Sequence, residues 1–177
     1  MKPIIETERL ILRELTQQDA PFILELVNTP GWLRYIGDRK VRTEADAALY
    51  ILTGPLASYT KNGYGLWAME RRDEPGPIGL CGLIKREGLE HTDIGFALLP
   101  PFEGKGYARE AAQACIEFGL EKAGLQKIVA ITSQDNTRSI ALLQQSGFIF
   151  EKLIRLPGGE EELKLYGLRM GTAKAKG

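Results

Sequence analysis

Two glycines one residue apart, Gly104 and Gly106, stand between an apolar run, Ile94-Gly95-Phe96-Ala97-Leu98-Leu99, and a stretch of small residues that begins Tyr107-Ala108-Arg109-Glu110-Ala111. The first run reads as a strand and the second as a helix, so the glycines mark a strand-to-helix junction. Glycine adopts backbone conformations closed to other residues, and two of them let the chain turn tightly with several N–H groups aimed at one spot. Those donors add to the positive end of the helix dipole and make a place for a phosphate or pyrophosphate. A plain turn accounts for one glycine. Gly104-Lys105-Gly106 followed by Arg109 and Glu110 asks for more. One face of the helix is small, at Ala108, Ala111, Ala112, Cys115 and Gly119, which permits close approach to a sheet or a cofactor.

Two familiar phosphate motifs do not fit. The P-loop needs a Ser or Thr after Gly-Lys, and Lys105 is followed by Gly106. The dinucleotide fingerprint needs Gly or Ala at its sixth position, where Arg109 stands, and it belongs at the start of a βαβ unit. An ATP- or NAD-binding domain is therefore disfavoured.

The order of elements points the same way. Residues 7–14 read as a first strand. Thr16 and Asp19 cap a helix with Phe22, Ile23, Leu26 and Val27 inward, which Asn28-Thr29-Pro30-Gly31 ends. Residues 31–42 read as a loop. Thr43 and Asp46 open a second helix that Gly54-Pro55 breaks or kinks. A meander follows, with strands over 64–71, 78–85 and 92–99, then the glycine loop and a helix over about 107–123. A strand over 127–132, a helix over 136–146 capped by Gly147-Phe148, and a hairpin of strands at 149–156 and 163–170 complete the pattern. This is an α+β chain with a mixed, mostly antiparallel twisted sheet flanked by helices. One domain over 1–170 and a disordered tail over 171–177 are expected.

Lys+Arg and Asp+Glu balance at 23 each, which argues against a nucleic-acid partner. No apolar run reaches the length of a membrane span, and Glu6, Glu8 and Arg9 interrupt the N-terminus before any signal-peptide core, so a cytoplasmic protein is expected. Cys81 and Cys115 fall in an apolar strand and on an apolar helix face, and read as buried reduced thiols.

Taken together these residues resemble the GNAT superfamily of acyl-CoA-dependent N-acetyltransferases, in its ribosomal-protein-alanine acetyltransferase-like branch. Thr7-Glu8-Arg9-Leu10-Ile11-Leu12-Arg13 is similar to that branch's first strand, and Ile78-Gly79-Leu80-Cys81-Gly82-Leu83 to its third. Asp93-Ile94-Gly95-Phe96-Ala97-Leu98 resembles the fourth strand and Gly104-Lys105-Gly106-Tyr107-Ala108 the pyrophosphate loop. Asn136-Thr137-Arg138-Ser139, followed by Ser146-Gly147-Phe148, resembles the late helix that closes on the donor. The resemblance spans nearly the whole chain.

It implies a GNAT-like domain splayed between the fourth and fifth strands, with the pantetheine of acetyl-CoA in the gap. Backbone groups of Phe96, Ala97 and Leu98 would bond its amides. Backbone N–H groups of Gly104, Lys105, Gly106, Tyr107, Ala108 and Arg109 would hold the pyrophosphate. Asn136 would bond the pantetheine arm with Ser139 nearby, and a bulge in the fourth strand would aim an N–H at the thioester carbonyl. No metal is called for. The implied activity is transfer of an acetyl group from acetyl-CoA to a primary amine, on a protein N-terminus or a small molecule, and the family also admits a homodimer.

Two positions depart from the pattern. Glu103 replaces the usual Gln or Arg that leads the loop, and is expected to face outward. Leu143 occupies the place where many members carry a tyrosine that protonates the leaving thiolate, which leaves Ser139 as the nearest hydroxyl and keeps open a non-catalytic acyl-CoA-binding or sensing module. The amine must lose a proton to attack. Asp93 is either the base or a solvated strand-edge charge. His91 reads as an exposed turn residue, and Glu110 as a helix N-terminal charge. Trp32, Tyr35 and Trp67, in the variable segments, are the candidates to contact the acceptor, and Glu160-Glu161-Glu162 the acidic run that would attract it.

Overall fold

A regular alternation of apolar residues puts Leu10 and Leu12 on one side of a short strand, and both are fully buried. In the computed structural model, which describes residues 3–169, this strand is the second rather than the first. β1 (Pro3–Glu6) and β2 (Leu10–Arg13) form a hairpin where one strand over 7–14 was expected. Thr7 turns the chain: its N–H donates to Leu10 O at 2.9 Å, and its hydroxyl oxygen accepts from Leu10 N at 3.0 Å. The expected tail at 171–177 lies outside the described residues.

Thr16 and Asp19 cap each other's backbone at a 3₁₀ turn (Gln17–Asp19) that leads into α1 (Ala20–Leu26). Beneath it, Arg13 grips Asp19 through both terminal nitrogens at 2.8 and 2.9 Å and Glu70 through Nε at 2.7 Å. The segment at 31–42 is not all loop. Thr29 caps, and Pro30 occupies the first turn of, a short helix α2 (Pro30–Tyr35) that buries Trp32. Thr-Pro was read as an end signal, yet proline's fixed φ suits a helix start equally well. Of the break or kink expected at Gly54-Pro55, the break is absent, and the helix changes geometry there instead. A π-helical turn (Leu52–Leu56) joins α3 (Glu44–Ile51) to α4 (Ala57–Asn62), and the wider turn takes up proline's missing N–H without ending the helix.

Three antiparallel strands follow: β3 (Leu66–Arg71), β4 (Glu74–Ile84) and β5 (Asp93–Leu98). A 3₁₀ turn at Pro100–Phe102 and the glycine loop lead to α5 (Tyr107–Glu121). Then come β6 (Lys127–Ser133), α6 (Thr137–Gln145), β7 (Ile149–Ile154) and β8 (Leu163–Arg169). They form an eight-stranded sheet in the order β1-β2-β3-β4-β5-β6-β8-β7, antiparallel throughout except at β5–β6. α5 packs on one face, over Trp67, Cys81, Leu83 and Ile128, while α1 and α3 pack on the other, over Ala68 and Leu80. Cys81 and Cys115 are fully buried between β4 and α5 with sulfurs 3.6 Å apart, as free thiols.

Six residue pairs register β4 with β5, from Gly79↔Leu98 to Ile84↔Asp93, whereas β5 and β6 share one, Asp93↔Val129. Beyond it the strands diverge. This is the splay expected between the fourth and fifth strands of the sequence reading, which are β5 and β6 once the extra N-terminal strand is counted.

Candidate active site

Because strand residues alternate, only every second residue of β5 faces the gap. Leu99 N–H donates to Ile78 O on β4 at 2.9 Å, and Val129 N–H on β6 donates to Thr92 O at 2.9 Å. Odd-numbered residues of β5 therefore turn their backbone groups to β4, and Ile94, Phe96 and Leu98 turn theirs to the gap. Ala97 does not: its carbonyl faces Gly79 on β4, and only its side-chain face reaches the cavity. The expected set of Phe96, Ala97 and Leu98 reduces to the outer two. The expected bulge is missing as well, since the β4–β5 register runs unbroken.

The gap opens into a cavity of about 930 Å³ whose lining includes Asp93, Phe96, Leu98, Asn136, Ser139 and Leu143, and Trp32 and Tyr35 of α2. α2 is held beside this opening by Arg34, which bonds Asp135 at 3.1 Å. Asn136 caps α6, its side-chain oxygen accepting from Ser139 N–H at 3.3 Å, so its amide nitrogen remains as a donor. Leu143 is fully buried on the cavity wall and presents no proton. Glu103 is not simply outward: it lines the cavity edge, where its carboxylate lies 3.6 Å from Arg138 across the opening. Opposite charge on α6 draws it there.

The glycine loop sits at the end of the gap. Gly104 and Gly106 have φ of +77° and +84°, and Gly106 precedes the first turn of the 15-residue α5. Among the described residues, no protein acceptor pairs with the backbone N–H groups of Gly104, Gly106, Tyr107, Ala108 and Arg109. Successive unpaired N–H groups at a helix start are an anion site.

Asp93 is 1% exposed, which removes the reading of a solvated edge charge. Burial pushes its carboxyl up to about 7, against the pull of Arg86, whose Nε lies 3.5 Å from Oδ2. Asp93 Oδ1, Arg86 Nε and Trp32 Nε1 are buried without a hydrogen-bond partner among the described residues, and all three residues line the cavity. Three unsatisfied polar groups around one cavity mark a place for a polar ligand. Tyr50 and Arg39 stand beside them; burial raises the Tyr50 phenol and the two arginines oppose that. The sequence reading missed Arg86 and Tyr50, because nothing in Lys85-Arg86-Glu87 or in the α3 pattern separates them from surface residues.

Trp67 does not join the site. It is 1% exposed in the core under α5, edge-on to Phe118 with ring centroids 5.0 Å apart. Its strand neighbour Leu66 lines the cavity instead, so one step of the strand's alternation separates the two readings. His91 is half-exposed beside Glu90, away from the cavity, and Glu110 is bound by Arg9 and Thr7. Glu160 and Glu161 reach the cavity lip.

The model of the acetyltransferase (GNAT) domain matches residues 9–149. The N-acetyltransferase YoaA of Bacillus subtilis, itself uncharacterized, is 33% identical over 158 residues, 88% of each chain. An acetyltransferase structure from Agrobacterium tumefaciens superposes with a TM-score of 0.80 at 24% identity, covering 96% of this chain and 95% of that one. RimL, a ribosomal L7/L12 alpha-N-protein acetyltransferase solved in complex with coenzyme A, gives a TM-score of 0.80 at 19% identity over 95% and 98% of the two chains. The splayed sheet, the unpaired amides at the head of α5 and the extent of the family match lead to one conclusion: this chain belongs to the GNAT acetyltransferase family.

Proposed function

We propose that the protein transfers the acetyl group of acetyl-CoA directly to a primary amine. The observation that carries this reading is that, among the described residues, the backbone N–H groups of Gly104 and of Gly106 to Arg109 are unpaired at the open end of the β5–β6 gap. The pyrophosphate is bound there, with Lys105 adding a cation. The pantetheine lies along β5, bonded by the gap-facing backbone of Phe96 and Leu98 and by the Asn136 amide. The thioester then falls in the cavity near Asp93.

Asp93 is the general base. A carboxyl titrating near neutrality accepts a proton from an ammonium group better than an ordinary carboxylate does. The amine nitrogen forms its bond to the thioester carbon, the C–S bond breaks, and the amine's proton passes to Asp93. The thiolate leaves without a tyrosine; Ser139 is the hydroxyl placed to meet it. Trp32 and Tyr35 bound the acceptor. A fold that binds acyl-CoA without turning it over has no use for a buried, unsatisfied carboxylate on the cavity wall, which favours the enzyme over the binding module. The two buried thiols fit a cytoplasmic setting. Among the described residues no helix is long and apolar enough to cross a membrane. The exposed apolar residues Ile149, Phe150 and Leu153 on edge strand β7 support a homodimer, which light scattering tests.

The experiment is thermal unfolding with excess acetyl-CoA or CoA, against ATP and NAD, followed by an amine screen read by thiol release. A ligand that binds only the folded state raises the midpoint by mass action. A rise with the CoA species alone supports the reading. No rise, or an equal rise with ATP, refutes it.

A further inference from the structure

Arg9 lies 101 positions before Glu110 in the chain, yet the Thr7-Glu8-Arg9 turn is bonded to Glu110 at three points and to the glycine loop at a fourth. Arg9 Nε donates to Glu110 Oε1 at 2.7 Å, and Arg9 backbone N–H donates to Glu110 Oε2 at 2.9 Å. The Thr7 hydroxyl donates to the same Oε2 at 2.5 Å. Arg9 Nη1 then donates to the carbonyl oxygen of Lys105 at 3.0 Å, between the two glycines. The guanidinium also lies 4.6 Å from the centroid of the Tyr107 ring. Burial alone would raise the Glu110 carboxyl, but the bonds from Thr7 and Arg9 outweigh it and hold it below the ordinary range.

The bond to Lys105 O decides where the next N–H points. In a trans peptide the C=O and the following N–H face opposite ways. With Lys105 O turned to Arg9, the Gly106 N–H is turned away from Arg9. The peptide has a glycine on its far side, and glycine takes either sign of φ at little cost. Without the arginine, the Lys105–Gly106 peptide is free to flip. A flipped peptide presents a carbonyl oxygen to an anion where a donor is needed.

We propose that Arg9, anchored on Glu110, is a positioning residue for the phosphate-binding loop, fixing the Lys105–Gly106 peptide with its N–H toward the pyrophosphate of CoA. The inference rests on the reading of this loop as the pyrophosphate site. The arginine acts before the ligand arrives, by raising the fraction of molecules that are ready to bind.

The test is CoA affinity by isothermal titration, alongside the unfolding midpoint of the ligand-free protein, for wild type, Arg9→Ala, Arg9→Lys, Glu110→Gln and the double variant Arg9→Ala/Glu110→Gln. If the competent peptide orientation falls to about a tenth of molecules, the apparent Kd of Arg9→Ala rises about tenfold. Arg9→Lys reaches Glu110 or Lys105 O but cannot fork between them, so it recovers part of the affinity. The double variant binds no worse than Arg9→Ala, because Glu110 acts through Arg9. Wild-type affinity in Arg9→Ala overturns the inference, and so does a lowered midpoint with unchanged Kd, which is the mark of a purely structural arginine. Absence of CoA binding in the wild-type protein itself overturns the reading of the site, and the inference with it.

Discussion

Asp93 offers a test in which stability and activity move in opposite directions. Its carboxyl is raised from 3.8 to about 7, chiefly by burial and against the attraction of Arg86. Between these values the folded protein holds a proton on Asp93 that the unfolded chain has released. Stability from this group is therefore present at low pH and falls as pH rises through that window. At about 1.4 kcal/mol per pKa unit, three units give a cost of about 4 kcal/mol above pH 7. Asp93→Asn removes the charge and keeps the shape. Urea unfolding at pH 5 and pH 8, read by tryptophan fluorescence, measures the difference. At pH 5, about one unit above the ordinary carboxyl value, the variant already leads by about 1.6 kcal/mol, roughly 0.5 to 0.8 M urea for slopes of 2 to 3 kcal/mol/M. At pH 8 the variant is the more stable, its midpoint displaced by roughly 1 to 2 M urea for slopes of 2 to 3 kcal/mol/M. Its acetyl transfer falls about 100-fold or more if Asp93 is the base. A variant that is equally or less stable than wild type at pH 8 refutes the argument that this carboxylate is held charged at a cost. Full activity in a stable variant refutes its role as base.

Three further outcomes follow from the packing. Arg13→Ala leaves Asp19 and Glu70 facing each other without their cation, and is expected to cost about 3 to 5 kcal/mol in chemical denaturation; because the bonds from Arg13 and Thr16 hold the Asp19 carboxyl below its ordinary value despite burial, its stabilising contribution in the wild type is lost as pH falls through the acid range. Trp67→Ala empties the core under α5 and lowers stability by about 3 to 5 kcal/mol, while the KM for the acceptor stays within about twofold; a selective rise in that KM would return Trp67 to the site. Cys81 and Cys115 react with a thiol reagent only at the rate of unfolding, since both are buried and burial, with the neighbouring Cys81, raises the Cys115 thiol. Fast labelling of the native protein would contradict their placement.

The glycine loop and the Gly147-Phe148 end of the late helix were legible because each depends on a local rule, positive φ at glycine. The α2 helix was not, since Thr29-Pro30 serves a helix start as well as an end and only the burial of Trp32 decides between them. The π-helical turn was hidden for a similar reason, as Gly54-Pro55 signals a break unless neighbouring turns absorb it. Within the site, the difference between Trp67 and Leu66, and between Ala97 and its neighbours, is one step along a strand. The apolar pattern of a strand buried on both faces does not reveal that phase. The roles of Arg9 and Glu110 depend on a contact across the chain that no local pattern encodes.

The single registered pair between β5 and β6 divides the sheet into a five-stranded piece and a three-stranded piece. Along this seam the backbone groups of Phe96 and Leu98 lack a strand to complete them, and on the proposed reading a bound donor molecule would supply what is missing. The donor would then be a stitch as well as a reactant. With it absent, amide exchange in β6, β8 and β7 is set by how often the smaller piece swings free, and with it present by how often the whole protein unfolds. On that reading the protein would stiffen in proportion to the acetyl donor available to it, and its lifetime against proteases would track that supply.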